Sequence, residues 1–176
     1  ILWRQVFRQD VRDHAIAELT PSGKILTTNR ATYDQWHINA CPHHGPTMVQ
    51  STLSEDYHMS WFTNGDLNQG LYYARYSFKD KESTHLFQVD GKPGAGHPYL
   101  SEYNEKLHLV WKGFNGKESL LNIITSKDDG TSWSEPTSLL KTEKGSDHPF
   151  LIQDSNSLYL SWHTDEFGYI LLDISE

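Results

Sequence analysis

The 176-residue sequence contains a single cysteine, Cys41, and no apolar run that approaches twenty residues. One cysteine excludes an internal disulfide framework, and a membrane-spanning helix needs about 20 consecutive apolar residues. The first residues do not resemble a secretion signal. We therefore expect a soluble chain, and its length favours one domain over two.

Positive charge is scarce, with 15 Lys and Arg against 23 Asp and Glu and a formal net charge of -8. No arginine follows residue 75, and the five that are present are Arg4, Arg8, Arg12, Arg30 and Arg75. Binding to nucleic acid or to anionic lipid without sequence specificity requires clustered Lys and Arg. The composition therefore argues against nucleic-acid and membrane partners.

The sequence also lacks any sustained helical stripe of apolar residues. Its apolar positions alternate with a period of two, as they do in half-buried strands. Aromatic residues make up 12% of the chain, and aromatic side chains favour strands over helices. The pattern predicts an all-β protein.

A repeat of about 50 residues organises the chain. In each copy a proline begins an apolar run, a polar turn follows, and an alternating strand ends in tryptophan. The anchors are Pro46, Pro98 and Pro149, which are 52 and 51 residues apart by subtraction, and Trp61, Trp111 and Trp162, which are 50 and 51 apart. Four-stranded sheets repeated at this period are typical of β-propeller blades.

The repeat predicts about three to four blades, each a four-stranded antiparallel meander. Residues 41–92 and 93–145 form two full blades, residues 1–40 the end of a preceding blade, and residues 146–176 an incomplete blade. The strands add up to about three and a half blades, whereas propellers close with about four to eight. We therefore expect either a homodimer that completes the propeller or a chain that is half of a longer protein.

The segment "SKDDGTSW" lies between the third and fourth strands of the second full blade. Its residues Ser126, Asp128, Gly130 and Trp133 resemble the Asp-box, or BNR, repeat of sialidase-like propellers. Ser and Asp side chains can bind backbone N–H groups in a tight turn, Gly tolerates positive φ, and Trp can pack into the blade. We interpret this motif as structural.

Three further segments, "VRDHAIAELTPSGK", "WHINACPHHGP" and "GLYYARYS", are similar to uncharacterised bacterial members of the same superfamily. The resemblance implies a six-bladed type of propeller, a carbohydrate ligand and a secreted or periplasmic location. It also implies an arginine triad and a Tyr/Glu nucleophile pair in the members that cleave glycosides. Neither can be identified here, and the later blades contain no arginine with which to build a triad.

Strand alternation places the starts of the first and third strands on one face, opposite the Asp-box turn. Candidate site residues on that face are Asp13 and His43 as catalytic groups, and Arg12, His14, Trp36, His44, His97, Asp147 and His148 as ligand-binding groups. In this hypothesis Trp36 offers a ring for sugar stacking, and Arg12 pairs with an anionic group.

Several interpretations of this face stay open. It could bind or process glycans, or the chain could be a non-catalytic scaffold for protein assembly, with each histidine bonding a neighbouring blade. Cys41 and His43 could hold zinc with His97 or His148, and Cys41 could act as a nucleophile. A lone cysteine beside a proline is more often a small buried residue. We expect no cofactor and no metal.

Overall fold

The computed structural model describes residues 1–175, which form fourteen β-strands and one short 3-10 turn, Arg8–Asp10. Every strand pairing is antiparallel. In each sheet the spatial order of the strands follows their order along the chain. The prediction of an all-β chain built from antiparallel meanders is confirmed.

The strands form four sheets. Sheet 1 contains β1 (Leu2–Val6), β2 (Arg12–Leu19) and β3 (Ile25–Arg30). Sheet 2 contains β4 (Thr47–Gln50), β5 (Tyr57–Asn64), β6 (Gln69–Ser77) and β7 (Glu82–Asp90). Sheet 3 contains β8 (Gly96–Tyr103), β9 (Lys106–Phe114), β10 (Ser119–Ser126) and β11 (Thr137–Thr142). Sheet 4 contains β12 (Phe150–Gln153), β13 (Leu158–Thr164) and β14 (Gly168–Asp173).

The sheets pack face to face, and the repeated tryptophans fill the three interfaces. Trp61 packs against Ile16 and Ala31 of the preceding unit, and Trp111 packs in the cluster that contains Leu71. Trp162 joins sheet 4 to sheet 3 in the same way, and all three indoles are buried. Burying a large aromatic side chain removes about 150–250 Å² from water, so these positions hold neighbouring sheets together.

Each of these indoles also forms a hydrogen bond with a residue at the end of, or after, the last strand of the preceding sheet. The Nε1–H groups donate to Asp34 Oδ2 at 2.8 Å, to Asp90 Oδ2 at 2.9 Å and to the backbone oxygen of Asp147 at 3.0 Å. A buried indole N–H needs an acceptor. The tryptophan repeat in the sequence therefore reflects a repeated contact as well as repeated packing.

The strand register gives each sheet two distinct ends. In sheet 3, Gly96 pairs with Lys112 at one end, and Ser126 pairs with Leu107 at the other. We call the end at which β4, β8 and β12 begin the histidine end, because His44, His97 and His148 lie there. The turn of residues 126–133 lies at the opposite end, as strand alternation predicted.

The 126–133 turn is closed by its own side chains. Ser126 Oγ accepts from the backbone N–H of Gly130 at 3.0 Å, and Asp128 Oδ1 accepts from the N–H of Ser132 at 2.8 Å. Gly130 has a φ of +76°, and a Cβ there would collide with the Tyr73 hydroxyl. Trp133 stacks edge-on against Tyr73, with ring centroids 4.8 Å apart. These contacts shape the hairpin and tie it to sheet 2.

Asp129 of the same turn forms a clamp between sheets 3 and 2. Its carboxylate accepts from Ser51 Oγ at 2.7 Å and pairs with Arg75 Nη1 at 2.7 Å and with His58 Nε2 at 3.0 Å. His58 is completely buried, its Nδ1 lies 2.7 Å from the Tyr73 hydroxyl, and burial lowers its pKa. Arg75 therefore has a structural role in this clamp.

The outer face of sheet 4 carries large apolar side chains that no sheet of the described residues covers. They are Phe150, Ile152, Tyr169 and Leu171, which are about half exposed. Among residues 1–175, no helix has the length and apolar character needed to cross a membrane.

Candidate functional site

Three histidines from three successive sheets stack at the histidine end. The His44 and His97 ring centroids are 4.5 Å apart, and those of His97 and His148 are 3.4 Å apart with the planes within 15°. Phe62 lies against the other side of His44, at 4.4 Å. We call His44, His97 and His148 the histidine column. It joins residues that are 53 and 51 positions apart in the sequence.

His97 occupies the middle of this column in an unfavourable backbone conformation. Its φ is +53°, in the left-handed region, at a register irregularity between Gly96 and Tyr99. Such a conformation costs a non-glycine residue about 1–3 kcal/mol and persists only where the surroundings enforce it. Strain of this kind is concentrated at functional sites, and here it places the His97 ring between its two neighbours.

The absence of a side chain at Gly96 leaves room for the His44 ring of the column. A Cβ at this position would lie 2.6 Å from Nδ1 of His44. The His44 ring cannot easily move away, because Phe62 and His97 pack against its two sides. The Gly-His-Pro sequence that precedes Tyr99 therefore has a steric reason for its glycine.

Beside the column lies a small cavity of about 210 Å³. Its side chains include His43, His97, His148, Thr47, Tyr99 and Phe150. Tyr99 and Phe150 pack edge-on at 5.3 Å and form its apolar part, while His43 and His148 are exposed to solvent. The cavity combines imidazole nitrogens, a hydroxyl and an aromatic wall.

Burial keeps the inner rings of the column neutral. It lowers the pKa of His97 to about 4, assisted by the neighbouring His148, His44 and Lys112. Burial, followed by the charge of Arg4, also lowers the pKa of His44. A neutral imidazole has one N–H donor and one nitrogen acceptor. At neutral pH the column can therefore both donate to and accept from hydroxyl groups.

Arg4 supports the column from sheet 1, a role that the sequence analysis missed. Its Nη2 donates to the backbone oxygens of Phe62 at 2.7 Å and His44 at 3.2 Å, and its Nη1 donates to that of Arg12 at 2.9 Å. The guanidinium also lies 4.6 Å from the ring centroid of Trp36. Burial lowers the pKa of Arg4 to about 10, so it stays charged at neutral pH. The sequence could have indicated this role, because Arg4 lies two residues after Leu2 in β1 and so faces the same side of the strand, toward sheet 2.

Asp13 and His14 lie at the predicted end of the molecule, but their side chains are not accessible. Asp13 is fully buried and forms an ion pair with Arg30. His14 is 1% exposed, its Nδ1 lies 3.2 Å from Thr32 Oγ1, and burial lowers its pKa well below the usual value. These contacts give both residues structural partners, and a catalytic role for Asp13 and a ligand-binding role for His14 stay predictions.

Trp36 is also enclosed. It is 7% exposed, because Arg4 lies over its ring and Phe62 packs against it edge-on at 5.6 Å. A role for Trp36 in sugar stacking stays a prediction. Arg12 is only partly buried, and its Nε donates to the backbone oxygen of Ile38 at 3.3 Å. Its pairing with an anionic group stays a prediction.

Asp147 lies next to His148 at the outer end of the column. Its side chain is exposed and accepts from the His148 backbone N–H at 2.9 Å. Nearby, Lys112 Nζ donates to the backbone oxygen of Ser146 at 2.7 Å. Burial lowers the pKa of Lys112, and the charge of Asp147 opposes this shift. Roles for Asp147 and His43 in binding or catalysis stay predictions.

The structure does not support zinc binding by Cys41 and does not test whether Cys41 is a nucleophile. Cys41 is exposed rather than buried as a small apolar residue. Within residues 1–175, no group of three or more His, Cys, Asp or Glu could hold a metal ion. The Cys41–His43 zinc hypothesis is therefore unsupported, and a nucleophilic Cys41 stays a prediction.

Comparison with known proteins identifies the architecture. No protein-family model and no curated protein sequence matches the chain. Among solved structures, an inhibitor complex of the E242A mutant of the α-L-arabinofuranosidase Arb93A from Fusarium graminearum is similar, with a TM-score of 0.56 and 13% identity over 73% of this chain and 43% of that one. An exo-1,5-α-L-arabinanase from a bovine ruminal metagenomic library matches with a TM-score of 0.56 and 12% identity.

The second match covers 95% of this chain and 66% of the arabinanase, so the chain spans less than two thirds of the length of either enzyme. Likeness at this level of identity establishes the fold. The four sheets are blades of a β-propeller.

Proposed function

We propose that this chain is a glycan-recognising propeller module whose histidine column and adjoining cavity bind a saccharide. The observation that carries the proposal is the strained backbone of His97, which holds a neutral ring between His44 and His148. The same ring lines the cavity beside the column, where a ligand can reach it.

The chemistry of the cavity suits a polyhydroxylated ligand. Neutral imidazoles can donate to and accept from sugar hydroxyls, and Tyr99 and Phe150 offer an apolar wall for the C–H groups of a sugar ring. Aromatic walls with a few convergent polar groups are typical of small-molecule sites. A secreted or periplasmic location, which the family resemblance implies, would suit such a ligand.

Recognition is better supported than hydrolysis. Most glycoside hydrolases use two carboxylates that flank the scissile bond. In the described chain, the residues that line the cavity include no Asp or Glu, and Asp147 lies just outside them. If the module does process glycans, we propose Asp147 as the acid/base, with the second carboxylate supplied from outside this cavity.

The structural neighbours suggest which saccharides to test first. One is an α-L-arabinofuranosidase and the other an exo-1,5-α-L-arabinanase, so arabino-oligosaccharides are the first candidates. The sialidase-like resemblance of the 126–133 segment adds sialylated oligosaccharides. The positive charges of Arg12 and Lys112 would favour the acidic, sialylated oligosaccharides. The neutral imidazole of His97 could bind hydroxyl groups of either class of saccharide.

A glycan array that contains both sets tests the proposal. We expect the wild-type chain to bind at least one class and His97→Ala to bind it at least about tenfold more weakly, which corresponds to about 1.4 kcal/mol. His85→Ala is the matched control, because His85 is exposed, lies outside the cavity and has a similar φ of +55°. Binding to no glycan, or equal losses in both variants, would contradict the proposal.

The alternative function is a scaffold for assembly, and the uncovered face of sheet 4 favours it. Phe150, Ile152, Tyr169 and Leu171 form an apolar surface of the kind that proteins use to bind one another. The two surfaces meet at Phe150, which also lines the cavity beside the histidine column, so assembly and saccharide binding would share that residue. Each has its own test.

A further inference from the structure

A second groove lies between the segment that follows β3 and the beginning of β7. Its volume is about 520 Å³, within the range of about 300–1,000 Å³ that is usual for small-molecule sites. The residues that matter here are Arg30, Tyr33, Asp34, Trp61, Asn68 and Leu86. We call this the rim groove. It shares no lining residue with the cavity beside the histidine column.

Tyr33 presents an exposed aromatic ring that is held in place. It is 61% exposed, yet the Arg30 guanidinium lies 4.6 Å from its ring centroid. Arg30 also lies 4.5 Å from the Phe7 ring centroid, donates to the backbone oxygen of Thr32 at 3.0 Å and pairs with the buried Asp13. A side chain fixed in this way loses little conformational entropy when a ligand stacks on it.

The inner wall of the groove provides polar partners beside this ring. Asp34 is buried and accepts from Trp61 Nε1 and Asn68 Nδ2, each at 2.8 Å. Burial raises the pKa of Asp34. The enclosed carboxylate of Asp34 thus fixes the orientation of the Asn68 amide, which is only partly buried and lines the groove.

The charges of the groove disfavour an anionic ligand. Its lining contains Arg30 and Lys81 against Asp34, Asp80 and Glu82. The charge of Arg30 is already matched by its ion pair with Asp13. One lysine therefore faces three carboxyl groups. A neutral, hydroxyl-rich molecule with an apolar ring face fits both this balance and the exposed aromatic ring.

We propose that the rim groove is an auxiliary saccharide-binding site, in which a neutral sugar unit stacks on Tyr33 and its hydroxyls bind the partly exposed amide of Asn68. This site would hold a polysaccharide chain on the outside of the propeller. It does not depend on whether the histidine column binds glycans.

Affinity electrophoresis in gels that contain linear arabinan, xylan or amylose tests this site. To remove the first candidate site, the measurements use the full 176-residue chain with His97→Ala. We expect at least one neutral polysaccharide to retard this protein and Tyr33→Ala to weaken the retardation at least fivefold. Tyr33→Phe keeps the ring and should retain most of the retardation. Phe167→Ala is the matched control, because the Phe167 ring is 59% exposed and lies outside the groove.

Three results would overturn the rim-groove proposal: no retardation by any neutral polysaccharide, equal mobility of Tyr33→Ala and its parent, or retardation only in gels that contain an anionic polymer such as polygalacturonate. Far-ultraviolet circular dichroism of each variant separates a binding defect from loss of the β-fold. Because the parent already carries His97→Ala, failure here is distinguishable from failure of the histidine column.

Discussion

Gly96 is the residue on which the geometry of the histidine column depends. Its missing side chain leaves the space that the His44 ring fills, and that ring is packed on both sides. We expect Gly96→Ala to lower the free energy of unfolding by about 1–3 kcal/mol, the usual cost of overpacking, and to weaken glycan binding at least about tenfold. Urea unfolding and the glycan array measure the two effects.

Gly45→Ala is the control for this substitution. Gly45 lies one residue after His44, yet a Cβ there would meet no atom within 4 Å, and its φ lies outside the left-handed region. We expect stability to stay close to wild type; because Gly45 lines the cavity, the comparison uses urea unfolding and not the array. If Gly45→Ala and Gly96→Ala destabilise the chain equally, the steric explanation of the column is wrong.

The low pKa of His97 predicts a pH dependence of stability. Its pKa is about 4 in the folded chain, below its ordinary value of 6.5. Between these values the unfolded chain binds a proton that folded His97 does not, so stability falls as the pH drops from about 6.5 to about 4. Above pH 6.5 this contribution is constant. His97→Asn should reduce, but not abolish, the slope of unfolding free energy against pH in this interval, because burial also lowers the pKa of His44, His58 and His108. Urea unfolding measures the slope.

His85→Asn tests the specificity of this effect. His85 is exposed and lies away from the column, so its replacement should leave the slope unchanged. An unchanged slope in His97→Asn would show that the proton uptake belongs to other histidines.

At the residue scale, the sequence located the ends of the strands better than the directions of the side chains. It brought His44, His97 and His148 together correctly, because each lies at the start of an equivalent strand. It did not reveal that Asp13 is buried by an ion pair, because its partner, Arg30, lies on another strand. Pairing partners that come from different strands leave no local pattern in the sequence.

At the scale of elements, the 126–133 turn joins its own blade to the preceding one. Asp129 in this turn binds His58 and Arg75 of sheet 2 and Ser51, which directly follows β4. We expect Asp129→Asn to lower the free energy of unfolding by about 1.5–3 kcal/mol, the range for hydrogen bonds to charged groups. Asn also tolerates the left-handed φ of +56° at this position. Glycan binding should not change, because the clamp lies at the opposite end from the histidine column.

Lys117→Ala is the control for the clamp. The ion pair of Lys117 with Glu143 is largely exposed, and such pairs contribute about 0–1 kcal/mol. Equal destabilisation by the two substitutions would show that the clamp contributes no more than a surface pair.

The strands themselves were predictable because the repeated prolines and tryptophans each have a structural reason for their position. Proline lacks an N–H for strand pairing, so Pro46 and Pro149 lie just before β4 and β12. The boundary differs in sheet 3, where β8 begins at Gly96 and includes Pro98. The register irregularity between Gly96 and Tyr99 accommodates that proline, and irregularities of this kind have no clear signature in a single sequence.

At the scale of the whole molecule, sheet 4 exposes positions that are buried in other blades. The pairings of Trp61 with Tyr72 and of Trp162 with Ile170 align Tyr169 with Leu71 and Leu171 with Tyr73. Leu71 and Tyr73 are completely buried by sheet 3. Tyr169 and Leu171 therefore occupy the position of a surface that another blade covers.

We predict that this face makes the 176-residue chain self-associate, as expected for a homodimer that completes the ring. Light scattering should give a mass near twice 20.3 kDa that resists dilution, and Leu171→Lys should restore the monomer. Lys127→Ala, at an exposed position in the opposite turn, should leave the mass unchanged. A wild-type monomer at every concentration would contradict the prediction.

If saccharide binds at the histidine column, the histidine side chains will report it in solution. A nuclear magnetic resonance titration follows the imidazole signals as the saccharide that binds best on the array is added. We expect the signals of His97 and His148 to shift along one saturating curve, whereas those of His85 and His108, which lie outside the cavity, stay unchanged. Saturable binding that leaves His97 and His148 unshifted would exclude the histidine column as the saccharide site.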